Sequence, residues 1–125
     1  MILLDTHAFL WFLTDDSRLS VKIKERIETD QDVYVSIASF WEMAIKNSLR
    51  KLVLPASISE MMDVCKSLQI SVLPITAPHL EKLKDLPWIH RDPFDRLLIC
   101  QALEDDLTLI TVDSNIVKYD VKTDW

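Results

Sequence analysis

Met1-Ile2-Leu3-Leu4-Asp5-Thr6-His7 opens the chain, and its reading decides the fold. Four apolar residues run without alternation and stop at a carboxylate. A short unbroken apolar run is expected of a strand buried on both faces, as in the middle of a parallel sheet. Asp5 then sits at the carboxyl end of that strand. In open α/β sheets, ligands bind in the crevice beyond those ends. Asp5 therefore has two readings: the floor of an acidic, metal-binding pocket, or the cap of the following helix.

Outward from this stretch, strands and helices alternate. Thr6 to Leu13 has helical spacing, with Phe9, Leu10 and Leu13 on one side and Thr6 as N-cap. Ser20 caps a helix reaching about Glu28. Val33 to Ser36 is a β-branched and aromatic run, hence a second strand. Ser39 to Lys46 is a helix, with Ser39 and Glu42 at capping-box spacing. Ser57 and Glu60 have the same spacing and open another helix. Ile70 to Leu73 is a third strand. Thr76 and Pro78 open a helix to about Leu83, and Leu86 to Arg91 is a loop. Asp92 caps the next helix, with Pro93 in its first position. Leu107 to Thr111 is a fourth strand, followed by Val112-Asp113 and a turn at Asn115. Val117, Tyr119 and Val121 alternate as a fifth, edge strand.

Such alternation implies right-handed crossovers and a parallel sheet. The strand order 3-2-1-4-5 places the first strand centrally and sets Asp5 beside Asp113 at the topological switch. The spacing suggests this order without requiring it.

The 125 residues suit one domain, residues 1–125, with a core that needs no staples. No apolar run approaches the ~20 residues that span a bilayer, and the four-residue apolar start with no basic flank is not a secretory signal. A cytoplasmic protein without membrane contact is expected. Cys65 and Cys100 have apolar neighbours and no metal-ligand spacing, so they read as core thiols. The net charge of −6 argues against a broad basic surface for nucleic acid, though not against a nuclease whose acidic pocket binds cations. The absence of glycine excludes the glycine-rich phosphate loops. It also leaves any left-handed backbone position to Asn or Asp, and Asn47, Asp106, Asn115 and Asp120 are the candidates.

Four acids hold corresponding places in this scheme. Asp5 and Asp113 follow strand ends; Glu42 and Asp95 lie in first helical turns. Two carboxylates 5 Å apart repel by roughly 3 kcal/mol at an effective dielectric near 20. Oxygen-only ligands favour Mg²⁺ or Mn²⁺, and such a site suits phosphodiester hydrolysis. Each acid also has a plainer reading. Glu42 completes a capping box or pairs with Lys46, Asp95 answers the helix dipole, and Asp113 is a turn residue.

The L-L-D-T-H opening, the S-x-x-E of Ser39 and Glu42, the H-R-D-P-F-D-R-L-L of His90 to Leu98 and the T-x-D of Thr111 to Asp113 together resemble a PIN domain. More narrowly they resemble the VapC toxins of VapBC toxin–antitoxin systems, over essentially the whole chain. The resemblance implies a three-layer sandwich with a central parallel sheet, and a Mg²⁺- or Mn²⁺-dependent ribonuclease. It implies an RNA substrate, a small VapB-like antitoxin and a homodimer. It makes Asp5, Glu42 and Asp95 the core metal ligands, with Asp113 completing the site. Thr6, Ser39 and Thr111 match positions that support the acids through their hydroxyls, and Asp92 stays open between cap and pocket. The chain departs from the family pattern at Arg50 and Asp106, where glycine is frequent, and at Val112, where a basic residue is frequent.

His7, Lys46, His90, Arg91 and Arg96 are the basic groups expected near the pocket. They contact RNA phosphates, or are solvated or paired with pocket acids. Trp11 and Phe12 are adjacent and cannot both face the core on one helix. Trp41 joins them as an aromatic group that packs in the core or meets a partner or a base. Two rival functions remain open. A receiver-like Mg²⁺-binding signalling domain needs an acid at the end of a central strand and a Lys after a later one. The third strand instead ends at Pro74, and no Lys follows the fourth. A non-catalytic interaction domain needs a degenerate pocket, and the acids here are intact.

Overall fold

A computed structural model describes residues 1–125. β1 (Ile2–Leu4), β2 (Val33–Ser36), β3 (Ile70–Leu73), β4 (Thr108–Ile110) and β5 (Thr123–Asp124) form one parallel sheet in the order β3-β2-β1-β4-β5. β1 is central: Ile2 pairs with Val33 on one side and with Thr108 on the other. The helices are α1 (Thr6–Leu13), α2 (Val21–Thr29), α3 (Ile37–Ser48), α4 (Ile58–Ser67), α5 (Ala77–Asp85) and α6 (Pro93–Glu104).

The period of two along β1 separates two cores. Ile2 and Leu4 face one side, among Phe9, Ile23, Phe40, Met43, Met61 and Cys65. Leu3 faces the other, among Leu98, Ile99, Cys100, Ala102 and Ile116. Ile2, Leu3 and Leu4 are all fully buried, each contributing about 1.5–3 kcal/mol of apolar burial. The three-layer arrangement follows directly. Cys65 and Cys100 are free and buried. Trp11 and Phe12 are both partly buried at the margin of the first core, while Trp41 is 57% exposed and meets Phe94 edge-on. No helix is long and apolar enough to cross a membrane.

Two caps lie at the strand ends, one where the alternative reading of Asp5 put it and one where Ser39 was expected instead. Asp5, not Thr6, caps α1, and its Oδ1 accepts from Ala8 N at 2.8 Å. Ser36, not Ser39, caps α3, and its Oγ accepts from Ala38 N at 3.0 Å. Each helix starts directly from the strand, so the last extended residue takes the cap. Ser57 and Glu60 form the expected capping box, and Asp92 caps α6 as expected.

The fifth strand is not the run Val117–Val121. That segment begins with a 3-10 turn, Ile116–Lys118, and β5 lies further on. Ile116 and Tyr119 are buried three residues apart, the repeat of a 3-10 turn, whereas Val117 is exposed. Left-handed backbone occurs at Asp15, Arg50, Gln69 and Asp106, with φ of 50°, 57°, 59° and 53°. Of the four candidates only Asp106 was right, since Asn47, Asn115 and Asp120 do not adopt it. Each observed position follows a helix C-cap, namely Thr14, Leu49, Leu68 and Asp105, where the chain reverses into αL. Position, rather than Asn or Asp identity, selects them.

Candidate active site

Asp5, Glu42, Asp95 and Asp113 line one cavity of about 120 Å³ at the carboxyl edge of the sheet, together with Thr6, His7, Trp11 and Val112. A broader hollow of about 900 Å³ beside β3 is lined by Ser59, Asp63, Lys66 and Ser71, without any concentration of acids. Most buried polar residues gather near the small cavity: Asp5, Thr6, Ser36, Ser39, Glu42 and Thr111.

Each acid is held by its local structure. Asp5 is fixed by the end of β1 and by its cap bond to Ala8. Thr6 Oγ1 lies 2.5 Å from Glu42 Oε1 and 3.0 Å from Ser39 Oγ. A carboxylate only accepts, so Thr6 gives Glu42 its hydroxyl proton while Ser39 supports Thr6. Lys46 Nζ donates to Glu42 Oε2 at 2.6 Å. Asp113 N donates to Thr111 Oγ1 at 3.1 Å, and Asp113 Oδ1 accepts from Asn115 N at 2.7 Å. Asp95, in the first turn of α6, meets His90 Nε2 through Oδ2 at 3.2 Å. Asp92 Oδ1 accepts from Phe94 N and Asp95 N, so its geometry is that of a cap.

Burial raises the Asp5 pKa. The Thr111 hydroxyl, the Ala8 N–H and His7 oppose the rise, and Asp113 adds to it. Asp95 is pushed up to about 6, first by burial and then by the charge of Asp92, with smaller contributions from Asp113 and Glu42. The hydrogen bond to Glu42 raises Lys46, which holds its proton more firmly. These groups share a wall, yet no three acid or histidine side chains converge closely enough to hold a metal ion as they stand. Both Glu42 oxygens and one Asp95 oxygen are engaged by the chain itself. The donor chemistry nonetheless fits a hard divalent cation: oxygen ligands in one pocket, two of them poorly compensated in their charged form.

The five basic candidates divide. His7 lines the cavity, its ring 5.6 Å from Trp11. Lys46 and His90 pair with Glu42 and Asp95. Arg91 lines a different cavity, of about 370 Å³, beside Trp88. Arg96 is buried and lines that cavity too. It donates to the carbonyls of Leu86 and Pro87 and to the Tyr119 hydroxyl, with its guanidinium 3.8 Å from the Trp88 ring centroid. It makes no ion pair with a pocket acid, and its guanidinium is engaged by backbone carbonyls and the Tyr119 hydroxyl. Adjacent helix residues stand about 100° apart, so with Asp95 in the acidic cavity Arg96 faces elsewhere. Tyr119, expected in an edge strand, instead brings its hydroxyl to His90 and Arg96. The available signal was that a buried tyrosine hydroxyl needs a partner.

The PIN domain family model matches residues 2–122. Solved structures share the fold. A chain of VapBC2 from Rickettsia felis, bound to a DNA fragment from their promoter, superposes with a TM-score of 0.73 at 14% identity, covering 99% of this chain and 98% of that one. A chain of FitAcB from Neisseria gonorrhoeae gives 0.63 at 19% identity, covering 98% and 96%. A chain of FitAB bound to an IR36 DNA fragment gives 0.64 at 20% identity, covering 99% and 94%. No curated protein matches the sequence.

Proposed function

Because the chain belongs to the PIN domain family, we propose that it is a divalent-metal-dependent endoribonuclease, the toxin of a toxin–antitoxin pair. The observation that carries this reading is that acids from four separate segments, Asp5, Glu42, Asp95 and Asp113, line a single cavity. These four residues would hold Mg²⁺ or Mn²⁺. When bound, such an ion supplies charge neutralisation at the phosphate and activation of water.

The chain's own residues have distinct tasks. The cap bond to Ala8 holds one oxygen of Asp5 and so fixes the carboxylate. Thr6 orients Glu42, and Lys46 compensates its charge. Asp95 keeps Oδ1 free of any protein partner, because His90 engages Oδ2. His7, exposed at the rim, meets a phosphate of a single-stranded or looped RNA, and Trp11 beside it offers a ring to a base. Hydrolysis leaves a 5′-phosphate and a 3′-hydroxyl. Under this reading the place of action is the cytoplasm, where the RNA is.

The partner is a small VapB-like antitoxin, in keeping with the VapBC2 and FitAB complexes that share the fold. An Arg or Lys of that partner entering the cavity would neutralise the acids and exclude the cation. The toxin acts as a homodimer. The receiver-like alternative has less support, since β3 ends at Leu73 with no acid following. The test is degradation of single-stranded RNA in Mg²⁺ by the parent and by Asp5→Asn. A loss of more than about 100-fold is expected. Equal degradation contradicts the assignment of cleavage to these acids, and no degradation by either protein favours a non-catalytic interaction domain.

A further inference from the structure

Two histidines meet carboxylates at opposite ends of α6. His79 Nε2 lies 3.0 Å from Asp105 Oδ2 at the helix C-cap. His90 Nε2 lies 3.2 Å from Asp95 Oδ2 in the first turn. A neutral imidazole has one N–H and one bare nitrogen, and the partners decide which is which. At His79, the backbone N–H of Thr76 donates to Nδ1 at 3.0 Å. Nδ1 is therefore bare, and Nε2–H donates to Asp105.

At His90 the corresponding partner is a side chain. The Tyr119 hydroxyl lies 2.9 Å from Nδ1. That oxygen already accepts from the His90 backbone N–H and from Arg96 Nη1, each at 3.1 Å. Arg96 is always charged and can only donate. Both lone pairs of the hydroxyl are thus taken, and its proton is left facing His90 Nδ1. A proton on Nδ1 would put a third donor on the oxygen and strand the tyrosine proton.

We propose that Tyr119 is a positioning residue: it locks His90 in the Nε2–H tautomer, which aims an N–H at Asp95 Oδ2 and leaves Oδ1 for a ligand. The significance for Asp95 rests on the proposed function, whereas the tautomer does not. Partners that orient a metal-ligating carboxylate typically change metal affinity 10–100-fold when removed.

The test combines imidazole ¹⁵N NMR above about pH 8, where imidazoles are neutral, with Mn²⁺ titration calorimetry. In the parent, His79 and His90 are each expected as a single Nε2–H tautomer. In Tyr119→Phe only the Asp95 carboxylate still selects Nε2–H, and His90 gains a detectable Nδ1–H fraction. His79 keeps its state and so reports an intact fold. Mn²⁺ affinity falls by about 10-fold. His90→Gln, which retains an N–H donor, restores affinity to within about 3-fold of the parent, whereas His90→Leu does not. A protonated Nδ1 in the parent, or an unchanged tautomer in Tyr119→Phe, overturns the lock. Altered tautomers with unchanged Mn²⁺ affinity overturn the positioning role. Failure of the parent to bind Mn²⁺ counts against the proposed function and the positioning role, while the NMR result still decides the lock.

Discussion

The acids at the carboxyl edge of the sheet and those on the outer surface are one chemical group in two settings. Asp16, Asp106 and Asp124 are held below the usual carboxylate range by hydrogen bonds from Arg18, Lys122, and Lys22 with Arg26; Asp16 falls to about 2. Asp5 and Asp95 move the opposite way, raised mainly by burial. The chain supplies basic partners to these three outer acids. Among the cavity acids, Glu42 pairs with Lys46 and Asp95 Oδ2 lies within hydrogen-bond distance of His90, while Asp5 and Asp113 have no such basic partner. Such a concentration of poorly compensated carboxylates costs stability, and under the proposed function a cation or a basic partner would supply the missing charge.

The largest effect expected from this contrast is on activity. Asp5→Asn, which keeps a capping oxygen for α1, should reduce RNA cleavage more than about 100-fold. Asp16→Asn, on the outer surface, should leave it unchanged. Equal losses in a cleavage assay would erase the distinction between the two sets.

Next is the response to metal. Mg²⁺ or Mn²⁺ at one hundred times Kd should stabilise the parent by about 2.7 kcal/mol. That is several degrees in Tm for a chain of this size. Chelation should reverse the shift. Asp5→Asn should lose it in thermal unfolding, and Asp16→Asn should keep it.

The pH dependence has opposite signs in the two sets. Between about pH 4 and 6 the folded chain holds a proton on Asp95 that the unfolded chain has released. Stability from this group therefore falls as pH rises through that window. The contribution of Asp16 is present above about pH 4 and lost as pH falls towards 2. Without metal, Asp95→Asn should raise stability at pH 7 by roughly 1 kcal/mol and change little near pH 4. Denaturant titrations at the two values check this, and destabilisation at pH 7 would contradict the sign.

The smallest effect lies on the outside. Arg50→Gly should relieve the left-handed backbone after α3 and raise stability by about 1 kcal/mol or less. Activity should not change. A destabilised protein would mean that Arg50 has an unrecognised contact.

The central strand and the sheet order were legible because Ile2-Leu3-Leu4 must be buried on both faces, and because alternation with helices leaves few topologies. The acids after β1 and β4 and in the first turn of α6 were legible because those positions fall at the same edge of such a sheet, whereas Glu42 lies in the second turn of α3 and not the expected first, because that helix begins at Ile37. What escaped the sequence depends on exact junctions. Whether Thr6 or Asp5 caps α1 is decided by how abruptly strand becomes helix, which residue type alone does not encode. Arg96 looked like one more basic group near the acids, but helical phase turns it to the far side. Tyr119 lay in an apolar alternation that suited a strand equally well, and its hydroxyl partners come from segments more than 20 residues away in sequence.

The most direct measurement is Mn²⁺ titration calorimetry of the parent and Asp5→Asn in two buffers of different ionisation heat. The parent should bind Mn²⁺ with release of protons from the raised acids, and Asp5→Asn should bind far more weakly. No binding by the parent, or equal binding by both, would contradict the claim that these carboxylates form one cation site.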